Sequence, residues 1–244
     1  MALKILTASG KGGVGKSTIC KNLGYCFARS GKRTLLIDCD AGLASLDIML
    51  GCADRVNFTW FDIIENRCTV SEAILDITQN LSLLPSPRNA LREDYKDSIK
   101  KIADEIEEQY DIILIDAPAG LGRGLKRAAQ AADKAIIIAT ADEVSVKGAA
   151  AVDSELETLG ITTSRLLINR YELKAAKKGK LLSIDDIIDK TYVQLIGIIP
   201  EDENIIYSTV SNKKLKTKLS DKAFSRVAKR INGENVELSL SQLK

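Results

Sequence analysis

Gly10-Lys11-Gly12-Gly13-Val14-Gly15-Lys16-Ser17 follows the apolar run Lys4–Ala8 and precedes a segment in which Ile19, Leu23 and Phe27 recur every four residues. The octet satisfies G-x-x-x-x-G-K-[ST] in the strand–loop–helix setting that gives the pattern its chemistry. By average residue usage it arises by chance in a chain this long about once in a hundred. Its glycines let the backbone fold into a concave nest whose N–H groups, with the positive end of the next helix, face the β-phosphate of a nucleotide. Side chains at those positions would fill the space. Lys16 is placed to reach the β and γ oxygens, and Ser17 to give its hydroxyl to Mg²⁺. The nucleotide-binding residues expected here are Gly10, Lys11, Gly12, Gly13, Val14, Gly15, Lys16, Ser17 and Thr18, and the expected cofactors are ATP and Mg²⁺.

Outward from the loop, Ile, Leu and Val concentrate in further short runs at Thr34–Ile37, Leu81–Leu84, Asp111–Ile115, Ala135–Ala139, Arg165–Ile168 and Leu195–Ile199. Most are apolar at consecutive positions, the pattern of strands covered on both faces. The helix that starts at the loop closes at Gly31, a natural C-terminal cap, and Ile99, Ile102 and Ile106 repeat the helical spacing before Tyr110. Alternating strands and helices predict an α/β fold, a doubly wound and mainly parallel sheet flanked by helices. No Pro/Ser/Gly-rich linker or internal repeat divides the chain, so residues 1–244 are expected to form a single domain. Asp38 ends one apolar run and Asp116 another, both at the carboxyl edge of the sheet where ligands bind. A carboxylate there needs a compensating cation, which makes Asp38 and Asp116 metal candidates beside Ser17.

With 45% hydrophobic residues the chain can bury a substantial core, and 35 Lys and Arg against 33 Asp and Glu give no global electrostatic reason to expect nucleic acid as a ligand. The basic clusters Lys174–Lys180 and Lys213–Lys218 read as solvated surface. Cys20, Cys26, Cys39, Cys52 and Cys68 are odd in number, lack Cys-x-x-Cys spacing and sit in apolar segments, so they are expected to be reduced thiols. The absence of His removes the commonest zinc ligand and the usual general base, excluding zinc hydrolases and Ser-His chemistry. The N-terminal apolar run is too short for a signal segment, and no run approaches the ~18 residues of a membrane span, so the protein is expected in the cytoplasm.

Lys11 adds a second lysine to the loop. Gly-Lys-Gly-Gly-Val-Gly-Lys-Ser-Thr at 10–18 resembles the deviant Walker A family of SIMIBI-type P-loop ATPases, which includes MinD, ParA and the nitrogenase iron protein. In that family the extra lysine crosses to the partner subunit's ATP, so the resemblance implies an ATP-dependent homodimer. Asp38–Asp47 resembles the family's switch I and Asp116–Leu121 its switch II. Ile64–Thr69, Leu84-Pro85, Leu167–Arg170 and Gly197–Asp202 narrow the likeness to MinD-like septum-site-determining ATPases, from about Leu3 to Leu240. Carried over by position, the catalytic residues are Lys11, Lys16 and Asp40, with Asp40 orienting the attacking water. Asn169, Arg170, Pro200, Glu201 and Asp202 would hold the adenine. Phosphoryl transfer needs positioning and charge neutralisation, so this set suffices without histidine. The resemblance implies a switch for the spatial regulation of cell division, with MinC- and MinE-like partners and the inner face of the cell membrane as a peripheral location. Alternatives are a soluble MinD/ParA-like ATPase for flagellar, DNA or cargo positioning, and an assembly switch with little turnover. An iron–sulfur carrier is disfavoured, since no Cys follows Cys68.

The sequence also departs from that family. Ala223–Ile231 resembles the last helix of the MinD body, and its stripe of Phe224, Val227, Ala228 and Ile231 is expected to pack on its own domain. The residues from Glu237 to Lys244 lack the bulky apolar face of an interfacial anchor, which puts direct membrane attachment in doubt. Gly148 and Ala150 stand where MinD carries acidic residues that help recruit MinC and MinE, and Gly122 stands where it usually has a glutamate.

Overall fold

The structure, a computed structural model, describes residues 1–89, 98–205 and 218–238. Its eight strands are β1 (Leu3–Ala8), β2 (Thr34–Asp38), β3 (Leu75–Thr78), β4 (Leu81–Leu84), β5 (Ile112–Asp116), β6 (Lys134–Ala139), β7 (Ser164–Tyr171) and β8 (Leu195–Pro200). They form one sheet in the order β3-β4-β2-β5-β1-β6-β7-β8. All neighbours pair in parallel except β3, which runs antiparallel to β4. The expected doubly wound α/β sheet is the fold observed.

Consecutive strand residues feed opposite faces. Leu6, Leu35, Ile37, Ile113 and Ile115 enter one apolar layer, and Ile5, Leu36, Ile112 and Leu114 enter the other. The first layer is completed by α5 (Ser98–Ile106), α6 (Arg123–Ala129), α7 (Glu143–Thr158) and α9 (Ile184–Thr191), and the second by α1 (Lys16–Arg29) and α10 (Lys218–Ile231). Burial on two faces is why the runs carry no polar alternation. α1 stops where Gly31 takes φ +85, as its capping role requires. Phe224 and Val227 of α10 are each 1% exposed, so that helix spends its apolar stripe on the core. Short helices α2 (Leu46–Leu50), α3 (Trp60–Ile64), α4 (Val70–Ala73) and α8 (Leu173–Lys177) occupy the connections.

β3 was not legible as a strand. Leu75-Asp76-Ile77-Thr78 alternates apolar and polar, is only half-buried, and pairs at the sheet edge across a register shift. Four of the cysteines are buried, Cys68 is half-buried, and all five are free thiols. Lys174, Lys177, Lys178 and Lys180 are exposed, as expected of a solvated cluster, whereas residues 213–217 of the second cluster and the terminal stretch 239–244 lie outside the described residues. Among the described residues, no helix is long and apolar enough to cross a membrane.

Candidate active site

The loop after β1 meets the carboxyl ends of β2, β5 and β7. Gly15 adopts φ +92, and a Cβ there would stand 2.5 Å from the Asn169 side-chain nitrogen, so both conformation and space demand glycine. That nitrogen donates to the Val14 carbonyl at 2.7 Å and ties β7 to the loop. The Gly15 carbonyl accepts from the Ile19 N–H at 2.9 Å, so α1 starts from the loop itself.

Lys16 is 7% exposed and its Nζ lies 3.1 Å from Asp116 Oδ1. The Thr7 hydroxyl donates to the same oxygen at 3.0 Å, while Asp116 Oδ2 is buried with no hydrogen-bond partner. Burial would lower the Lys16 pKa, but the Asp116 carboxylate outweighs it and holds the ammonium above its ordinary value. β2 and β5 place Asp38 directly beside Asp116 in register. Asp38 Oδ1 accepts from the Asp40 N–H at 2.9 Å and Oδ2 from the Leu46 N–H at 3.1 Å, so one carboxylate shapes the segment after β2. Burial, reinforced by the charge of Asp116, raises the Asp38 pKa to about 7.

Asp40 is half-buried, its pKa raised by burial against the opposing charge of Lys16. Trp60, the only tryptophan, donates its indole N–H to the Asp38 carbonyl at 2.9 Å, and the Arg127 guanidinium lies 5.7 Å over its ring. The segments after β2 and β5 are thereby linked. Gly120 closes the second of them onto the loop, its N–H donating to the Ser9 carbonyl at 2.9 Å.

Two adjacent buried carboxylates with an orphaned oxygen and a half-buried Ser17 hydroxyl on the neighbouring helix fit a small, hard cation. Among the described residues no group of three or more His, Cys, Asp or Glu could hold a metal ion by itself. Mg²⁺ commonly takes one or two carboxylates with water and phosphate oxygens, a donor set these residues suit. A separate cavity of about 180 Å³ is lined by Gly15, Thr18, Asn169, Arg170, Pro200, Glu201, Asp202 and Ile205. Arg170, at its wall, holds the left-handed backbone value φ +54. Every adenine candidate read from the sequence lines this one cavity.

The metal-free protein should show the strain of the two acids. The folded chain keeps a proton on Asp38 that the unfolded chain, with a pKa of 3.8, has released. Stability from that proton is complete below about pH 4 and is lost as the pH climbs through 7. An Asp38→Asn variant is expected to lose this slope and, after sacrificing about 1 kcal/mol for the Leu46 bond, to melt well above the wild type at pH 8 without Mg²⁺. Thermal melts in chelator at pH 5 and pH 8 decide it; a parallel slope in both proteins would exclude Asp38 as its origin.

Sequence reasoning missed Thr7, Trp60 and Asp142. The last lies ahead of Glu143-Val144-Ser145 and accepts from the Ser145 N–H at 3.0 Å, an N-cap whose signal was readable. It also receives Lys11 Nζ at 3.2 Å.

The loop, its buried lysine and the two strand-end aspartates under a doubly wound sheet define a P-loop ATPase. An AAA domain family model matches residues 3–168. The chain is 35% identical to septum site-determining protein MinD of Synechocystis sp., over 95% of this chain and 90% of that one. Its structure is similar to the MinC:MinD cell division protein complex of Aquifex aeolicus, with a TM-score of 0.90 and 33% identity over 98% of each chain. It is also similar to MinD of Pyrococcus horikoshii complexed with Mg-ADP, with a TM-score of 0.83 and 26% identity over 95% of this chain and 96% of that one. The chain belongs to the MinD family of septum site-determining ATPases.

Proposed function

We propose that this chain is one ATPase domain that dimerises around MgATP and acts as a hydrolysis-timed switch in placing the division site. The observation that carries the reading is the set Lys16, Asp38 and Asp116, gathered around an unpartnered carboxylate oxygen at the mouth of the loop. Bound MgATP supplies the phosphoryl group and the metal's charge; the protein supplies alignment and compensation. Backbone N–H groups from Gly10 to Thr18 cradle the phosphates, and Lys16 neutralises the β and γ oxygens. Ser17, Asp38 and Asp116 would be the residues that hold the metal, which would supply positive charge against the phosphates. Asp40 orients the attacking water. Asn169, Arg170 and the Pro200–Asp202 stretch hold the adenine, as their shared cavity supports.

Lys11 has no place in its own chain's metal set and is exposed, which supports its acting on the nucleotide of a partner subunit. ATP then stabilises an assembled state and hydrolysis releases it. The solved MinC:MinD complex supports a MinC-like partner. One feature favours a different partner contact. Gly148 on α7 lies against Gly10, and a Cβ on it would be 3.2 Å from the Gly10 Cα, so the position is used for packing.

A Lys11→Ala variant is expected to lose about a hundredfold in ATPase rate and to stay monomeric with ATP, as measured by phosphate release and light scattering. Wild-type turnover in that variant would refute the cross-subunit role.

A further inference from the structure

The Lys11 ammonium is engaged within its own chain. Its Nζ lies 3.2 Å from Asp142 Oδ1, and the acid is held in a fixed orientation by α7, which it caps. Oδ1 also accepts from the Ser145 N–H at 3.0 Å, and Oδ2 accepts from the Thr140 hydroxyl at 2.6 Å. α7 in turn is seated on the loop. A Cβ on Gly10 would stand 2.3 Å from the Gly148 carbonyl oxygen, so the two backbones touch where neither residue carries a side chain. Asp142 therefore stays within reach of Lys11 without any rearrangement of the helix.

We propose that Asp142 is a positioning residue that sequesters Lys11 in the monomer, so that assembly around ATP must break two Lys11–Asp142 ion pairs, one in each subunit. The inference rests on the cross-subunit role of Lys11 proposed above. One ammonium cannot serve both its own Asp142 and the partner's phosphates, so the two contacts compete. The Lys11 and Asp142 side chains are 44% and 40% exposed, and a pair so placed is worth at most about fivefold. Two such pairs multiply to at most about twenty-five-fold in the dimer dissociation constant. A contact of that size biases the switch toward the monomer when triphosphate is scarce, and triphosphate binding overrides it.

Asp142→Asn keeps an oxygen to cap α7 and removes the charge. With ATP, analytical ultracentrifugation should show a dimer dissociation constant about four to twenty-five times lower than wild type. The protein concentration at half-maximal ATPase should fall in parallel. The difference between the two proteins should shrink as KCl rises from about 50 to 500 mM, because a screened ion pair no longer competes. Asp142→Ser, a second uncharged cap, should behave alike, which guards against an effect peculiar to asparagine. A dimer no tighter than wild type in both variants would overturn the proposal. Lys11→Ala separates the two ways of failing. If it neither dimerises nor turns over while Asp142→Asn matches wild type, only the sequestration is wrong. If Lys11→Ala assembles and hydrolyses normally, the cross-subunit reading falls and the sequestration with it.

Discussion

A Lys16→Ala protein is expected to lose more than a thousandfold in ATP turnover and to unfold about 10 °C below wild type. Both effects follow from one side chain. In catalysis, Lys16 is the cation closest to the transferring phosphoryl group in the proposed site, and removing such a charge costs about 10³-fold or more. In the nucleotide-free fold, its Nζ is the 3.1 Å partner of Asp116, which is 0% exposed. Taking away one member of a buried pair strands the other, at about 3–5 kcal/mol, and in a chain of this length that is several degrees per two kcal/mol. The two effects separate in Lys16→Ala/Asp116→Asn. There the Thr7 hydroxyl still has an oxygen to bond and no charge is stranded, so melting should return most of the way while turnover stays lost. A Lys16→Ala protein as stable as wild type would show that the Asp116 charge is met by something other than this ammonium.

An Asp40→Ala protein is expected to bind ATP, to dimerise, and to turn over about 10²–10⁴ times more slowly. Its side chain is half-buried at the edge of the site, and its backbone N–H, which survives the substitution, is the group that bonds Asp38 at 2.9 Å. The segment after β2 should therefore keep its shape. Asp40→Asn should be nearly as slow, since an amide can bond a water but does not draw its proton. Trapped, ATP-loaded dimer by ultracentrifugation together with lost phosphate release is the expected pair of results. Turnover within tenfold of wild type in both variants would remove Asp40 from the catalytic set.

The parts of the molecule that could be read along the chain share a physical character. The loop is a local object: its glycines answer to backbone geometry and to contacts within a few residues, so Gly10 to Thr18 were identifiable in order. Buried parallel strands are local too, because burial on both faces makes every position apolar, as in Leu35-Leu36-Ile37 and Ile112 to Ile115. β3 escaped because an edge strand half in water has the same alternation as a loop with occasional apolar residues. Trp60 gave no warning, since a tryptophan in a short helix is ordinarily core, and its bond to the Asp38 carbonyl spans 22 positions. The adenine candidates came from resemblance rather than from any pattern of their own, and the fold brings Asn169 and Asp202 to one cavity from the ends of adjacent strands.

The sequence alone therefore determined the phosphate loop, the mainly parallel doubly wound sheet and the two strand-end aspartates, because backbone torsion, strand burial and strand endings are written in neighbouring residues. Only the tertiary structure decided that Asp38 stands beside Asp116 with a raised pKa, that one carboxylate oxygen is left without a partner, and that Lys11 rests on an acid 131 positions away. Those are consequences of strand order and of a helix seated on a glycine, and charge acts through space rather than along the chain.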